Sequence, residues 1–163
     1  MIILGLDPGT TAAGYALIEA GRAPRLCKAG LLTVRSRDSG ERLSELHRSL
    51  ALLIKKWKPS AVAIEKLFFA ANAKTAMAVA EARGVLLLTA VLGGTTVYEY
   101  TPAEIKKTVT GQGNADKAQI RKMILLTLPE TQGLKARDDV FDAIAAGLTC
   151  CFSQYNNKGR LLT

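Results

Sequence analysis

A single histidine, a single tryptophan and three cysteines leave this sequence of 163 residues short of the side chains on which several kinds of chemistry depend. Cys27 stands alone and Cys150 adjoins Cys151, so there is neither an even disulfide framework nor a Cys-x-x-Cys spacing for zinc or dithiol exchange. His47 falls beside Leu46 and Leu50 in a stretch of helical periodicity, where a structural or surface role is expected. No zinc site, thiol nucleophile or Ser-His-Asp arrangement can be built from this inventory. Aromatic residues make up 6% of a chain that is 48% hydrophobic, so the core should consist of Leu, Ile, Val and Ala around helices and a sheet. No apolar run is expected to approach the roughly 18 residues of a membrane span, and the opening Met-Ile-Ile-Leu-Gly-Leu-Asp lacks the basic region of a signal peptide. The expectation is a soluble, unexported protein of the cytoplasm with no membrane partner. One domain over residues 1–153 and a loose tail over 154–163 are expected.

Acids are scarce as well. Fourteen Asp and Glu stand against 22 Lys and Arg, a formal net charge of +8, and Arg22 to Lys58 carries ten basic and three acidic residues. Such an excess is either a solvated face or the footprint of a polyanionic partner. Sequestering four acids around metal ions would leave the remaining surface more basic still and favour nucleic acid.

The organisation is that of an α/β domain. Ile2 to Leu6 is an apolar run stopped by Asp-Pro-Gly, and Gly14 to Glu19 resumes a strand pattern, so the two read as a hairpin with Asp7 at its mouth. Leu26 to Val34 is a third strand. Leu43, Leu46, Leu50, Leu53, Ile54 and Trp57 recur at helical spacing, and Lys58-Pro59 ends that helix. Ala61 to Ile64 is a buried strand delivering Glu65. The segment Asn72 to Leu92 is helical with apolar or small residues round most of its circumference, which predicts burial on more than one side. Thr96 to Tyr100 is a fifth strand, Thr101-Pro102 and Asn114-Ala115-Asp116 open two further helices, and Asp138 to Phe152 is the last. Three strands followed by alternating helix and strand predict a mixed five-stranded sheet flanked by helices.

Asp7 and Glu65 both stand where a strand gives way to a turn. Either alone is an ordinary turn residue. Asp139 and Asp142 are spaced i, i+3 at the start of the last helix and project from one face, while Asp138 lies i, i+4 from Asp142. Acids at a helix N-terminus are favourable without any further role. Spacing therefore leaves Asp138 and Asp139 as alternatives. Phosphodiester hydrolysis gives such acids a reason to converge: two divalent ions about 3.5–4 Å apart can activate a water and stabilise a leaving oxygen, and hard Mg²⁺ prefers carboxylate oxygens. Lys106, Lys107, Lys117, Arg121 and Lys122 surround Gly111-Gln112-Gly113, where helix N-termini and basic side chains can meet phosphates.

Several stretches, in order along nearly the whole chain, resemble the RuvC Holliday-junction resolvases. They are Ile-Leu-Gly-Leu-Asp-Pro-Gly with Gly14-Tyr15, Ala-Ile-Glu at 63–65 followed by Phe68 and Asn72, Ala-Arg-Gly at 82–84, Ile-Lys-Lys-Thr-Val-Thr-Gly at 105–111, Ala-Asp-Lys at 115–117, and Asp-Val-Phe-Asp-Ala-Ile-Ala at 139–145. The resemblance implies a ribonuclease-H-like fold, a homodimer, and Mg²⁺-dependent paired nicks in four-way DNA junctions during recombination and repair. Two Mg²⁺ per site, replaceable by Mn²⁺, are implied, held by Asp7, Glu65, Asp139 and Asp142; the motif starts at Asp139 and makes Asp138 a neighbour. It further implies DNA contacts by Lys106 and Lys117, a junction-centre aromatic at Phe68 or its neighbour Phe69, and a RuvAB-type branch-migration complex as partner.

Two other readings compete. Asp7-Pro8-Gly9-Thr10-Thr11 also resembles the first phosphate loop of the actin and sugar-kinase superfamily, but those proteins clasp a nucleotide between two such domains and this chain has room for one. The same fold could serve a structural junction binder or a nuclease for RNA or flaps, but a binder without catalysis would have no use for four acids facing a polyanion, since without metal they repel it.

Overall fold

Pro-Gly after Asp7 turns the chain back on itself, and β1 (Ile2–Asp7) pairs antiparallel with β2 (Ala12–Glu19), Asp7 lying opposite Gly14. The computed structural model describes residues 1–66 and 73–159. The second strand continues antiparallel into β3 (Arg25–Thr33). Asp38 then caps α1 (Ser39–Trp57) by accepting from the Glu41 N–H, and a left-handed Lys58 (φ 46°) ends it. The chain returns as β4 (Ala61–Glu65), parallel to β1, and through α2 (Ala73–Leu92) to β5 (Thr96–Tyr100), parallel to β4. Three helices complete the fold: α3 (Pro102–Thr110), α4 (Lys117–Thr127) and α5 (Asp138–Gly159). The sheet order is β3-β2-β1-β4-β5, the mixed ribonuclease-H-like arrangement expected.

Period-2 alternation sorts the strands between two cores. Ile3, Ala16, Ile18, Ala61 and Ala63 face α3, α4 and α5, whereas Leu4, Leu6, Leu17, Val62 and Ile64 face α1 and α2. Asp7 and Glu65 continue the first set, so both carboxylates emerge on the α5 side at the C-terminal ends of adjacent parallel strands. Leu50 and Leu86, fully buried under the other face, each contribute about 1.5–3 kcal/mol by leaving water.

Helix α5 lies on the sheet more closely than side chains normally allow. A Cβ at Gly5 would collide with the carbonyl oxygen of Ala143, and a Cβ at Gly14 with that of Asp139. Gly147 of the helix in turn sits against Gly5. These bare crossings bring the first turn of α5 down onto the strand pair that carries Asp7.

Three expectations are corrected. The stripe Thr75–Leu92 has a mean hydropathy of 1.6 over 18 residues, enough in length and composition to cross a membrane, although it contains Glu81 and Arg83 and supplies core residues Ala82, Leu86 and Ala90. Nor is α2 buried on several sides: Met77, Leu88, Val91 and Leu92 are 59–74% exposed, because the helix lies outermost beside α1 and its far face has no partner among the described residues. Finally, α5 does not stop at Phe152 but runs to Gly159, since Gln154 to Lys158 contains neither proline nor glycine to break it.

Candidate active site

Four carboxylates converge where β1, β4 and α5 meet. Burial raises the Asp7 carboxyl from 3.8 to about 8, with the charges of Asp142, Glu65 and Asp139 adding to the shift and Lys117 opposing it. Glu65 is raised first by burial and then by Asp142, against Lys106 and Lys117. Burial also raises Asp142, against Lys117. Asp138 plays a different part: its side chain is 67% exposed, against 29% for Asp139 and 32% for Asp142, and it is not among the charges acting on Asp7. The turn that rests on Gly14 thus aims Asp139 and Asp142 inward and leaves Asp138 at the rim.

Lysine stands among these acids. Asp116 caps α4, reciprocated by Gln119, which makes Lys117 the first helical residue. Its Nζ lies 3.4 Å from Asp138 Oδ2 and 3.5 Å from Asp142 Oδ2, and this pairing raises its own pKa. Arg137 Nη2 lies 2.9 Å from Asp139 Oδ2, yet that buried oxygen has no hydrogen-bond partner among the described residues, the alignment being poor. As they stand, no three acidic, histidine or cysteine side chains among the described residues are close enough to hold one ion. Like charges repel one another here, and Lys117 supplies part of the neutralising charge.

A cleft of about 280 Å³ opens beside the carboxylates, lined by Glu65, Pro102, Ile105, Lys106, Lys117, Ile120, Asp142 and Ala145. A second of about 250 Å³ shares Lys117, Ile120 and Asp142 and extends to Arg121, whose guanidinium stacks 4.2 Å from the centre of the Phe141 ring. Capping boxes at Thr101/Glu104 and Asp116/Gln119 fix the two helices that present these cations. Lys106, Lys117 and Arg121 therefore border the site, while Lys107 and Lys122 are exposed and line neither cleft. Phe68 and Phe69 lie outside the described residues. A larger cavity of about 560 Å³ between α1 and α2, lined by His47, Thr89 and Lys58 among others, includes none of the carboxylates. There His47 Nδ1 is 2.8 Å from Thr89 Oγ1, the structural role expected of it. Burial pushes the Cys150 thiol up to about 11 and Cys151 to about 12, so neither is a thiolate nucleophile at neutral pH.

Sequence reasoning did not find Arg137 as the partner of Asp139, nor the ion pair of Arg83 and Glu99; the only signal for the first was a basic residue two positions before the acid.

The chain is similar to known proteins along nearly its whole length. A family model described as crossover junction endodeoxyribonuclease RuvC matches residues 3–150. The curated relative of that name from Natranaerobius thermophilus is 42% identical over 166 residues, covering 99% of this chain and all of that one. The relative from Brachyspira hyodysenteriae is 45% identical over 150 residues, covering 91% and 92%. Among solved structures, Thermus thermophilus RuvC in complex with a Holliday junction substrate superposes with a TM-score of 0.84 at 28% identity over 96% of each chain. The yeast mitochondrial Holliday junction resolvase Ydc2, at 12% identity and a TM-score of 0.70 over 99% of this chain and 84% of its own, shares the fold. On the family match and on relatives above 40% identity over nearly its full length, the chain belongs to the RuvC family of crossover junction endodeoxyribonucleases.

Proposed function

We propose that this nuclease resolves four-way DNA junctions by paired nicks, with Asp7, Glu65, Asp139 and Asp142 holding divalent metal ions at each active site. The observation that carries the reading is the convergence of these acids on one face of the sheet with Lys106 and Lys117 in the adjoining cleft, in a chain of this family. The donors suit a hard cation: all are carboxylates, burial and neighbouring acids disfavour ionisation of Asp7, Glu65 and Asp142 without one, and the buried Asp139 Oδ2, though beside Arg137, accepts no hydrogen bond among the described residues. Two Mg²⁺, or Mn²⁺ in their place, would supply an activated water and charge stabilisation at the leaving oxygen. The protein's own groups do the rest. Asp7 and Glu65, on adjacent strands, set the floor of the site. Lys106 and Lys117 attract the phosphate and offset its charge as it enters beside the acids, and Arg121, held against Phe141, continues that positive edge. Lys107 and Lys122 serve as outer phosphate contacts, and Phe68 or Phe69 enters the junction centre.

Two symmetric cuts call for two identical sites, which a C₂ dimer provides. We assign its interface to α2, where Met77, Leu88 and Val91 form an exposed apolar seam on the side opposite buried Ala82, Leu86 and Ala90. Gly84 lies on that seam with nothing near the position of a Cβ, so its helix-weakening presence answers no internal contact. It leaves room for a second helix to cross. A RuvAB-type motor is the further partner, and the cytoplasm, where free thiols such as Cys27 persist, the place of action.

Incubating the protein with a mobile synthetic four-way junction, with and without Mg²⁺, tests the reading. Paired nicks carrying 5′-phosphate and 3′-hydroxyl ends are expected only with metal. Equal cutting of linear duplex, or products with 3′-phosphates, would overturn it.

A further inference from the structure

Arg83 reaches the strand end that carries Glu65 from the face of the sheet opposite the carboxylates. Helix α2 packs against the face opposite the carboxylates, and from there Arg83 Nε donates to the backbone carbonyl of Glu65 at 3.1 Å. Its Nη2 pairs with Glu99 Oε2 on β5, and the arginine side chain is only 15% exposed. The Lys66 N–H donates to the Tyr100 carbonyl at 2.8 Å. The carbonyl of Glu65 and the N–H of Lys66 belong to one peptide unit, so that plane is held at both edges, by a side chain and by a neighbouring strand. β1 can offer no donor at this level, because Asp7 is followed by Pro8, which has no N–H.

Fixing this peptide fixes the backbone torsion that follows the Glu65 Cα, and with it the direction in which the carboxylate leaves the strand. The arginine is directed at the backbone carbonyl, whereas Lys106 and Lys117 are the cations that hold the Glu65 carboxyl down. Arg83 therefore orients the acid without competing for it. A planar fork is needed for the two-armed contact to a carbonyl and to Glu99, which a lysine cannot reproduce. Glu99 stands on the α2 side of β5 and so anchors the guanidinium where it reaches β4.

We propose that Arg83 is a positioning residue for Glu65, holding the peptide after it so that the carboxylate is preset to bind metal. This rests on the reading of Glu65 as a metal ligand. Groups that orient metal ligands by hydrogen bonding typically account for about 10–100-fold in metal affinity or activity. Acting through the backbone rather than on the carboxylate, Arg83 should account for about three- to tenfold.

The experiment titrates Mg²⁺ alone into wild type, R83M, R83K and E99Q and follows the melting temperature, then repeats the titration as junction cleavage. R83M keeps the stem and loses every donor, and should need about three- to tenfold more Mg²⁺ for half of the metal-induced stabilisation and for half-maximal cutting. R83K and E99Q should shift in the same direction by less, while metal-free junction binding stays within about twofold of wild type in all three. A merely structural arginine would lower the melting temperature in chelator and leave the Mg²⁺ midpoint where it was, and that result overturns the proposal. Should R83M fail to fold, a wild-type midpoint in folded R83K does the same. Loss of junction cutting by the wild-type protein would instead overturn the functional reading, since the thermal titration contains no DNA.

Discussion

Replacing Asp7 with asparagine should stabilise the metal-free protein while ending cleavage. In the folded chain burial and three neighbouring acids raise this carboxyl from 3.8 to about 8. A raised acid works against the fold as it is ionised: the penalty is absent below the unfolded value, grows as pH rises, and saturates above the folded one. Between 3.8 and pH 7 each unit costs about 1.36 kcal/mol, so at pH 7 the fold gives up about 4 kcal/mol. Asparagine keeps the shape and removes the charge, but burying its amide returns about 1–3 kcal/mol. A net gain of about 1–3 kcal/mol remains, which for a chain of this size raises the melting temperature by about 2–12 °C. Thermal unfolding of both proteins in chelator, from about pH 4 to about pH 8.5, measures it. At the acid end, where most of the electrostatic penalty on Asp7 has gone, the variant should melt at or below wild type because the cost of its buried amide remains, and its advantage should be largest at the alkaline end. Adding Mg²⁺ should raise wild type far more than the variant, and only wild type should nick a junction. A variant that melts below wild type near pH 8, or a difference that does not change with pH, would refute the electrostatic account of this site.

A charged residue at Met77 or Leu88 should give a folded monomer in sedimentation at micromolar concentration, because both side chains are already exposed in the single chain; a variant that unfolds, or still pairs, counts against α2 as the interface. Lys106→Ala or Lys117→Ala should flatten the dependence of log K on log salt for junction binding by about 0.9 for each phosphate that is no longer neutralised, and unchanged slopes for both would make them bystanders. Asp138→Asn should still cut and Asp139→Asn should not, as the exposure of the one and the burial of the other indicate; the opposite outcome in a nicking assay would mean that the i, i+4 pair forms the ligand set.

How much of this could be read before the structure depended on whether the cause was local. Asp7 and Glu65 were legible because a strand pattern and a turn signal each place an acid at a strand end, and two capping boxes were foreshadowed by Thr101-Pro102 and Asp116. Spacing on α5 narrowed the remaining candidates but could not separate Asp138 from Asp139; the contact of that turn with Gly14, a residue more than a hundred positions away, leaves one exposed and the other partly buried. The partners of Arg83 were invisible to spacing in the same way: a guanidinium that reaches a carbonyl 18 residues back leaves no periodic trace. Composition misled on α2, since an apolar circumference says that a helix needs cover on several sides without saying that the cover lies within one chain.

The sheet carries the converging acids on one face and the exposed seam of α2 beyond the other, and the glycines show how differently the two faces are packed. On one face Gly5, Gly14 and Gly147 let α5 approach until backbone meets backbone, which is how an acid on that helix comes to share a site with acids at two strand ends. On the other face α1 packs through Leu46, Leu50 and Ile54, and α2, which adds Ala82, Leu86 and Ala90, presents its opposite seam to solvent. A signal passing between the faces must cross the sheet. Arg83 does so at the edge where β4 ends, and it neighbours Gly84 on the helix assigned to the dimer. Contact across the sheet between that helix and the strand end carrying Glu65 thus runs through the Arg83 guanidinium.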